Sequence, residues 1–281
     1  MTNSDFIERE LYKGTVKVKF FPQSHVYMVN GKRASSPTGA IGIIDKSRVL
    51  MGWQKGEIQD CLMLSIGKPV TVEMIDFAIE AADRKKEGAA DIGTEAHNWM
   101  EDFVKGKNPA MPKLKGAKQA VMSFLDWMDQ HKVKFTHSEK LVYSKKYNYV
   151  GTCDAIAKVG NEKLPYIIDY KVSNGLYPGV ALQTAAYQNA ETEESGQQYA
   201  GRWALRFAKE TEEEYMVTQE KKLKKYLKNN PGKGPYEIPE YKAFEFRLLT
   251  DYERDLDCFT TALALKTKYD PIDKEFFNYG K

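Results

Sequence analysis

YVGTCDAIAKVGNEKLPYIIDYKVS, residues 149–173, decides the fold. Two apolar runs, about 150–159 and about 164–172, flank Gly160-Asn161-Glu162-Lys163, and Gly-Asn between such runs is a hairpin signal. With the pairing centre midway between 161 and 162, Asp154 and Asp169 each lie 7.5 residues from it and face one another. Directly opposed Cβ atoms are roughly 4.5–5.5 Å apart, where like charges repel. Two carboxylates so placed call for a bound cation or a retained proton. In the second strand Leu164, Tyr166, Ile168, Tyr170 and Val172 form one apolar face suited to a core, while Ile167, Asp169 and Lys171 share the other. The constellation depends on register, because a turn one residue longer or shorter would turn the two aspartates to opposite faces.

Outward from this hairpin the period changes. Residues 14–30 alternate polar and apolar around Pro22-Gln23-Ser24 and read as a hairpin, followed by a loop rich in Gly, Ser, Pro and Thr over 31–48. Apolar residues at three- and four-residue intervals predict helices over 49–67, about 71–87 and about 89–105. A further helix over 116–131 presents Val121, Phe124, Leu125 and Met128 on one face. A strand at about 138–146 precedes the hairpin, and a helix entered by Pro178 and a strand at about 199–208 follow it. Residues 210–234 form a charged stretch ending in Pro and Gly, before a strand at about 241–248 and a helix at about 250–268. From residue 89 the order is helix, three strands, helix, strand. The expected fold is therefore α/β with a mixed central sheet and an added N-terminal helical layer. One domain over 1–281 is expected, divided into a hairpin and helical layer (1–88), a core (89–208) and C-terminal strands and helix (209–281).

Composition narrows the class. The chain has 281 residues, with 42 Lys+Arg against 39 Asp+Glu for a net charge of +3. No window approaches 18 uninterrupted apolar residues, so no membrane partner is expected. The start, MTNSDFIERE, has neither the apolar run of a secretory signal nor the basic character of a transit peptide. Cys61, Cys153 and Cys258 are too far apart for a metal-binding cysteine pair, and three cysteines do not make a disulfide framework, so free thiols in a cytoplasmic setting are expected. The small net charge is an average: residues 103–148 hold ten lysines against three acids, and Lys221, Lys222, Lys224, Lys225 and Lys228 form a second cluster. Such clusters are either solvated helix faces or tracks for phosphates. Trp53, Trp99, Trp127 and Tyr147 are candidates for stacking on unpaired bases, with Trp127 near the apolar helix face and expected in the core.

Two helices carry further candidates. His97 and Glu101 are four apart on one predicted helix face, as a metal-binding pair or a plain surface pair. Gln183 and Tyr187 repeat that spacing after Lys171. Asp-x-Lys or Glu-x-Lys by itself says little, since Asp83-Lys85, Glu220-Lys222 and Glu240-Lys242 also have it.

Taken in order, Gly93-Thr94 with His97 and Glu101, Gly151-Thr152 with Asp154, Asp169 with Lys171, and Gln183 with Tyr187 resemble the RecB-like branch of the PD-(D/E)xK nuclease superfamily. Cys153 stands where the usual pattern has Pro before the first Asp. Upstream, His25-x-Tyr27 with Gly31-Lys32, then Ser36-Pro37-Thr38 and a helix with Trp53, look like the entry segment of the mitochondrial genome maintenance exonuclease and its phage relatives. The resemblance implies a restriction-endonuclease-like core over about 89–208. It implies that His97, Asp154, Asp169 and the backbone carbonyl of Tyr170 hold one or two Mg²⁺ or Mn²⁺ ions, with Lys171 acting on the attacking hydroxide or the phosphate. Gln183 and Tyr187 would support the site or bind phosphate, and Glu101 would be a ligand or a support for His97. Iron–sulfur members of the superfamily need four cysteines, so no such cluster is expected. The implied activity is a metal-dependent DNA exonuclease acting on single strands or ends. The alternatives are a structure-selective or restriction-type endonuclease, or a DNA-binding module without catalysis.

Overall fold

The computed structural model describes residues 6–277. The first five residues of the N-terminal stretch read above lie outside this range. The chain opens with β1 (Ile7–Leu11), β2 (Val16–Phe21), β3 (Val26–Val29) and β4 (Lys32–Ala34), an antiparallel meander in which the expected 14–30 hairpin is the middle pair. Next come α1 (Pro37–Ile41), α2 (Ser47–Met63) and α3 (Val72–Ile79). α4 (Ala81–Val104) then runs unbroken through Gly88 and Gly93. The expected helix boundary near 88, and with it the division of the chain at 88/89, falls inside this helix. Each glycine costs a helix about 1 kcal/mol; burial of Ala96, Trp99 and Met100 further along offsets that cost.

α5 (Lys115–His131) leads into β5 (Lys134–Ser144), β6 (Tyr149–Lys158) and β7 (Tyr166–Val172). α6 (Gly179–Ser195) and β8 (Gly201–Phe207) follow. The charged stretch after 210 is a helix, α7 (Glu212–Asn229), opened by a capping box between Thr211 and Glu214. β9 (Phe244–Leu249) and α8 (Tyr252–Phe277) complete the described residues, so the C-terminal part holds two helices and one strand.

The second sheet has the order β5-β6-β7-β8-β9. Its neighbours are antiparallel except β7 and β8, which run parallel. A parallel neighbour needs a crossover, and α6 supplies it. α4 and α5 cover one face, packing Trp99, Phe124 and Trp127 against Ala155, Ile168 and Tyr170. α6, α8 and α1 cover the other, where Ile156 and Ile167 meet Ala186, Phe259 and Ile41. Burial on both faces is why YIIDY reads as an almost continuous apolar run. The first sheet docks on β5 and β6 through Val16, Val18, Tyr27 and Val29 against Tyr143 and Val150. The protein is thus mixed α/β, with one mixed and one antiparallel sheet. Among the described residues no helix is long and apolar enough to cross a membrane.

Candidate metal centre

The β6–β7 ladder pairs Ala155 with Ile168, Ile156 with Ile167 and Ala157 with Tyr166. One step further along the same register, Asp154 stands across from Asp169. There the ladder stops, and Asp154 Oδ2 accepts the Tyr170 backbone N–H at 2.7 Å. On the other side, β5 pairs Ser138 with Ala155 and Lys140 with Cys153, which leaves Glu139 opposite Asp154. Glu139 has a left-handed backbone, φ 48°, so the ladder is interrupted at that residue. Glu139, Asp154 and Asp169 therefore form one row across three adjacent strands.

Glu139 was not among the residues singled out from the sequence, although the signal was there. The Lys145–Asn148 turn, with Asn148 left-handed (φ 53°) and its N–H bonded to the Ser144 carbonyl at 2.9 Å, centres the β5–β6 hairpin between 146 and 147. Glu139 and Asp154 each lie 7.5 residues from that centre. This is the arithmetic that aligns Asp154 with Asp169, applied one hairpin earlier.

From α4, His97 reaches the same end of the sheet. One ligand atom each from His97, Glu139 and Asp154 lies within 4.8 Å of the others. All three residues keep partial access to solvent, so the cluster is open to a small ion. Asp169 lies outside this group of three. It is fully buried, and its Oδ2 lies 2.5 Å from Lys171 Nζ. Neither Asp169 oxygen has a properly directed hydrogen bond. Of the ligands implied by the resemblance, His97 and Asp154 converge, Glu139 joins them, and Asp169 stands beside Asp154 in the row. The Tyr170 side chain points into the core with its hydroxyl unpaired. Glu101, one turn beyond His97, forms an ion pair with Lys105. Gln183 Nε2 donates to Tyr187 Oη at 2.6 Å and to Thr38 Oγ1 at 3.3 Å. Tyr187 packs so closely on Gly151 that a Cβ there would lie 2.8 Å from its ring and 2.9 Å from Pro37. Gly151 thus lets α6 and α1 approach the strand that carries Asp154. Of the stacking candidates, Trp99 and Trp127 are both buried in the core and unavailable to bases.

The electrostatics are those of too much negative charge in too little water. Burial, then Asp154 and Glu101, push the Glu139 carboxyl up to about 8. Burial raises Asp169 to about 6 against the pull of Lys171. Burial also raises Asp154, opposed by Lys171 and the Tyr170 N–H. His97 is lowered to about 4, by burial first and Lys171 second. It is therefore a neutral imidazole at neutral pH, the form that ligates metals. Burial works against the charge on Lys171, but Asp169 and Asp154 outweigh it and hold the ammonium form.

These residues fit a divalent cation. Two carboxyl groups and one neutral imidazole converge, with the Asp169 carboxyl adjoining, an oxygen-rich set of the kind that holds hard divalent cations. Asp169 Oδ1 is buried without a hydrogen bond, a lone-pair site that a cation beside Asp154 would satisfy. No cysteine adjoins the centre except the buried Cys153. No model of a known protein family matches the chain, and no curated protein matches it.

Proposed function

We propose that the protein is a metal-dependent nuclease of the RecB-like PD-(D/E)xK type, hydrolysing phosphodiester bonds of single-stranded DNA or DNA ends as an exonuclease. The observation that carries this reading is the acidic row Glu139, Asp154 and Asp169 at one end of the sheet, with Lys171 two residues beyond Asp169 and His97 arriving from α4. Two helices, three strands, a helix and a strand run from α4 to β8, and this order with a parallel β7–β8 step across α6 supports the reading of a restriction-endonuclease-like core.

His97, Glu139 and Asp154, with Asp169 adjoining, would hold Mg²⁺ or Mn²⁺. When bound, the ion supplies positive charge that polarises a phosphate and acidifies a water. The residues of the chain do the rest. Lys171, kept charged by Asp169 and Asp154, presents a point charge at the mouth of the row, suited to the oxygens of a phosphate under attack. The Tyr170 N–H fixes the Asp154 carboxylate so that one oxygen stays free for the ion. Gln183, spanning Tyr187 and Thr38, orients donors beside the row. Glu101 adds negative charge around His97 and supports it from one turn away. The lysines of 103–148 and of α7 supply long-range attraction for a polyanion. α2 and α3 lie against α4, the helix that carries His97. A layer there favours free ends over internal sites.

The test uses 5′- and 3′-labelled single- and double-stranded DNA with Mg²⁺, Mn²⁺ or EDTA, alongside Asp169→Asn and Lys171→Ala. Cleavage that needs the metal and is lost in both variants is the expected result. Binding without cleavage under every metal condition would move the protein to a non-catalytic DNA-binding role, and cleavage surviving in both variants would place the chemistry elsewhere.

A further inference from the structure

The β2–β3 hairpin touches β6 two residues before Asp154, through Tyr27, and its aromatic residues take no part in the metal centre. Val16, Val18 and Phe20 share one face of β2, with Val29 opposite Val18 and Tyr27 opposite Phe20. Val16 and Val18 are buried against Tyr143 and Val150, so the row runs along β6 toward the end that carries Asp154. At its tip the Tyr27 hydroxyl meets Thr152 Oγ1 at 3.0 Å. Thr152 is two residues before Asp154 and thus about 6–7 Å from it along the strand. Glu139 and Asp154 lie close enough to raise the Tyr27 hydroxyl further after burial has raised it.

Phe20 stacks on Tyr27 with ring centroids 4.5 Å apart and planes 18° apart. His25, exposed, lies beside Phe20 at 6.1 Å. The Pro22–His25 turn holds it there, with a left-handed backbone at φ 49° and its N–H on the Pro22 carbonyl. Tyr27 is buried while Phe20 is half-buried and His25 open. The arrangement is a stack whose buried member, Tyr27, is tied to β6 two residues before Asp154 and whose outer members, Phe20 and His25, reach solvent.

We propose that this Tyr27–Phe20–His25 stack is a binding site for one unpaired nucleobase of a single-stranded substrate whose backbone continues along β6 to the acidic row. Every base has a π-face, so such a platform is sequence-tolerant, as an enzyme that trims ends requires. The inference rests on the nuclease reading and adds to it a base-stacking site outside the metal centre.

The test uses single-stranded dT oligonucleotides carrying one 2-aminopurine, moved stepwise from the end, with Ca²⁺ in place of Mg²⁺. Binding is read by anisotropy and stacking by quenching. The wild type is expected to quench strongly at one position. Phe20→Leu, which keeps the apolar filling, and His25→Ala, which changes an exposed side chain, are each expected to lose that quenching and to bind about fivefold or more weakly. An abasic site at the quenched position should weaken the wild type by a similar factor and the variants by much less, since the partner is already gone. Equal abasic losses in wild type and variants, or variants that bind and quench like wild type, would overturn the stack while Mg²⁺-dependent cleavage left the nuclease reading standing. A wild type that neither binds nor cleaves would overturn both.

Discussion

Glu139→Gln should stabilise the metal-free protein and weaken its response to metal, two effects of opposite sign from one atom change. Burial and the neighbouring Asp154 and Glu101 raise the Glu139 carboxyl from 4.5 to about 8. A carboxyl with a raised folded-state pKa costs nothing below the unfolded value, and the cost grows with pH up to the folded value. At pH 7 the gap between 4.5 and 7 corresponds to a ceiling of about 3 kcal/mol. Partial solvent access brings the expected gain to about 1–2 kcal/mol. For a chain of this size that is a rise in Tm of roughly 2–4 °C in EDTA at pH 7, shrinking toward zero near pH 5. Adding Mn²⁺ should raise the wild-type Tm and raise the variant's much less, because one of three converging ligands has lost its charge. Thermal unfolding followed by circular dichroism at pH 5 and pH 7, with EDTA or Mn²⁺, reads all four conditions. A Glu139→Gln protein less stable than wild type in EDTA at pH 7, or one with an undiminished Mn²⁺ shift, would refute the assignment of Glu139 to the cluster.

Three further outcomes follow from the geometry. Lys171→Met should keep most of the Mn²⁺-induced rise in Tm while lowering cleavage by about 100-fold or more, since it removes the charge proposed to act on the phosphate and no ligand of the cluster; loss of the Tm shift together with activity would make Lys171 a structural prop instead. Gly151→Ala should cost about 1–3 kcal/mol in urea unfolding, because Tyr187 and Pro37 would have to give way to the new Cβ; a change within about 0.5 kcal/mol would mean that α1 and α6 yield freely. Covalently closed circular single-stranded DNA should resist digestion while its linear form is degraded, and equal rates on the two would replace the exonuclease reading with an endonuclease one.

Local pattern in the chain was enough for several of these features. The register that brings Asp154 and Asp169 face to face is the one expected from a turn centred between 161 and 162, although the strands part at Ala157 and Tyr166 and a loop over 159–165 joins them. The helix spacing of Gln183 and Tyr187 placed both on one side of α6, where they are hydrogen-bonded. α4 was harder to read. Its glycines suggested a break that long-range packing of Ala96, Trp99 and Met100 overrides, and a propensity argument does not see that packing. The charged α7 lacked a strong apolar face, although Thr211 and Glu214 announced its start.

The composition of the centre is a different matter. Which carboxylate sits beside which in a hairpin is a local question, answered by turn position alone. Which helix residue reaches the row, that His97 meets Glu139 and Asp154 while Asp169 turns to Lys171, depends on how α4 lies across the sheet. The docking of the meander on β6, which brings Tyr27 to Thr152, joins residues 125 positions apart. The chain determined the parts and their pairing along strands. Only the packing of distant elements decided which of them share one charge-crowded, partly dry space, because burial and Coulomb interactions act through space and take no account of separation along the chain.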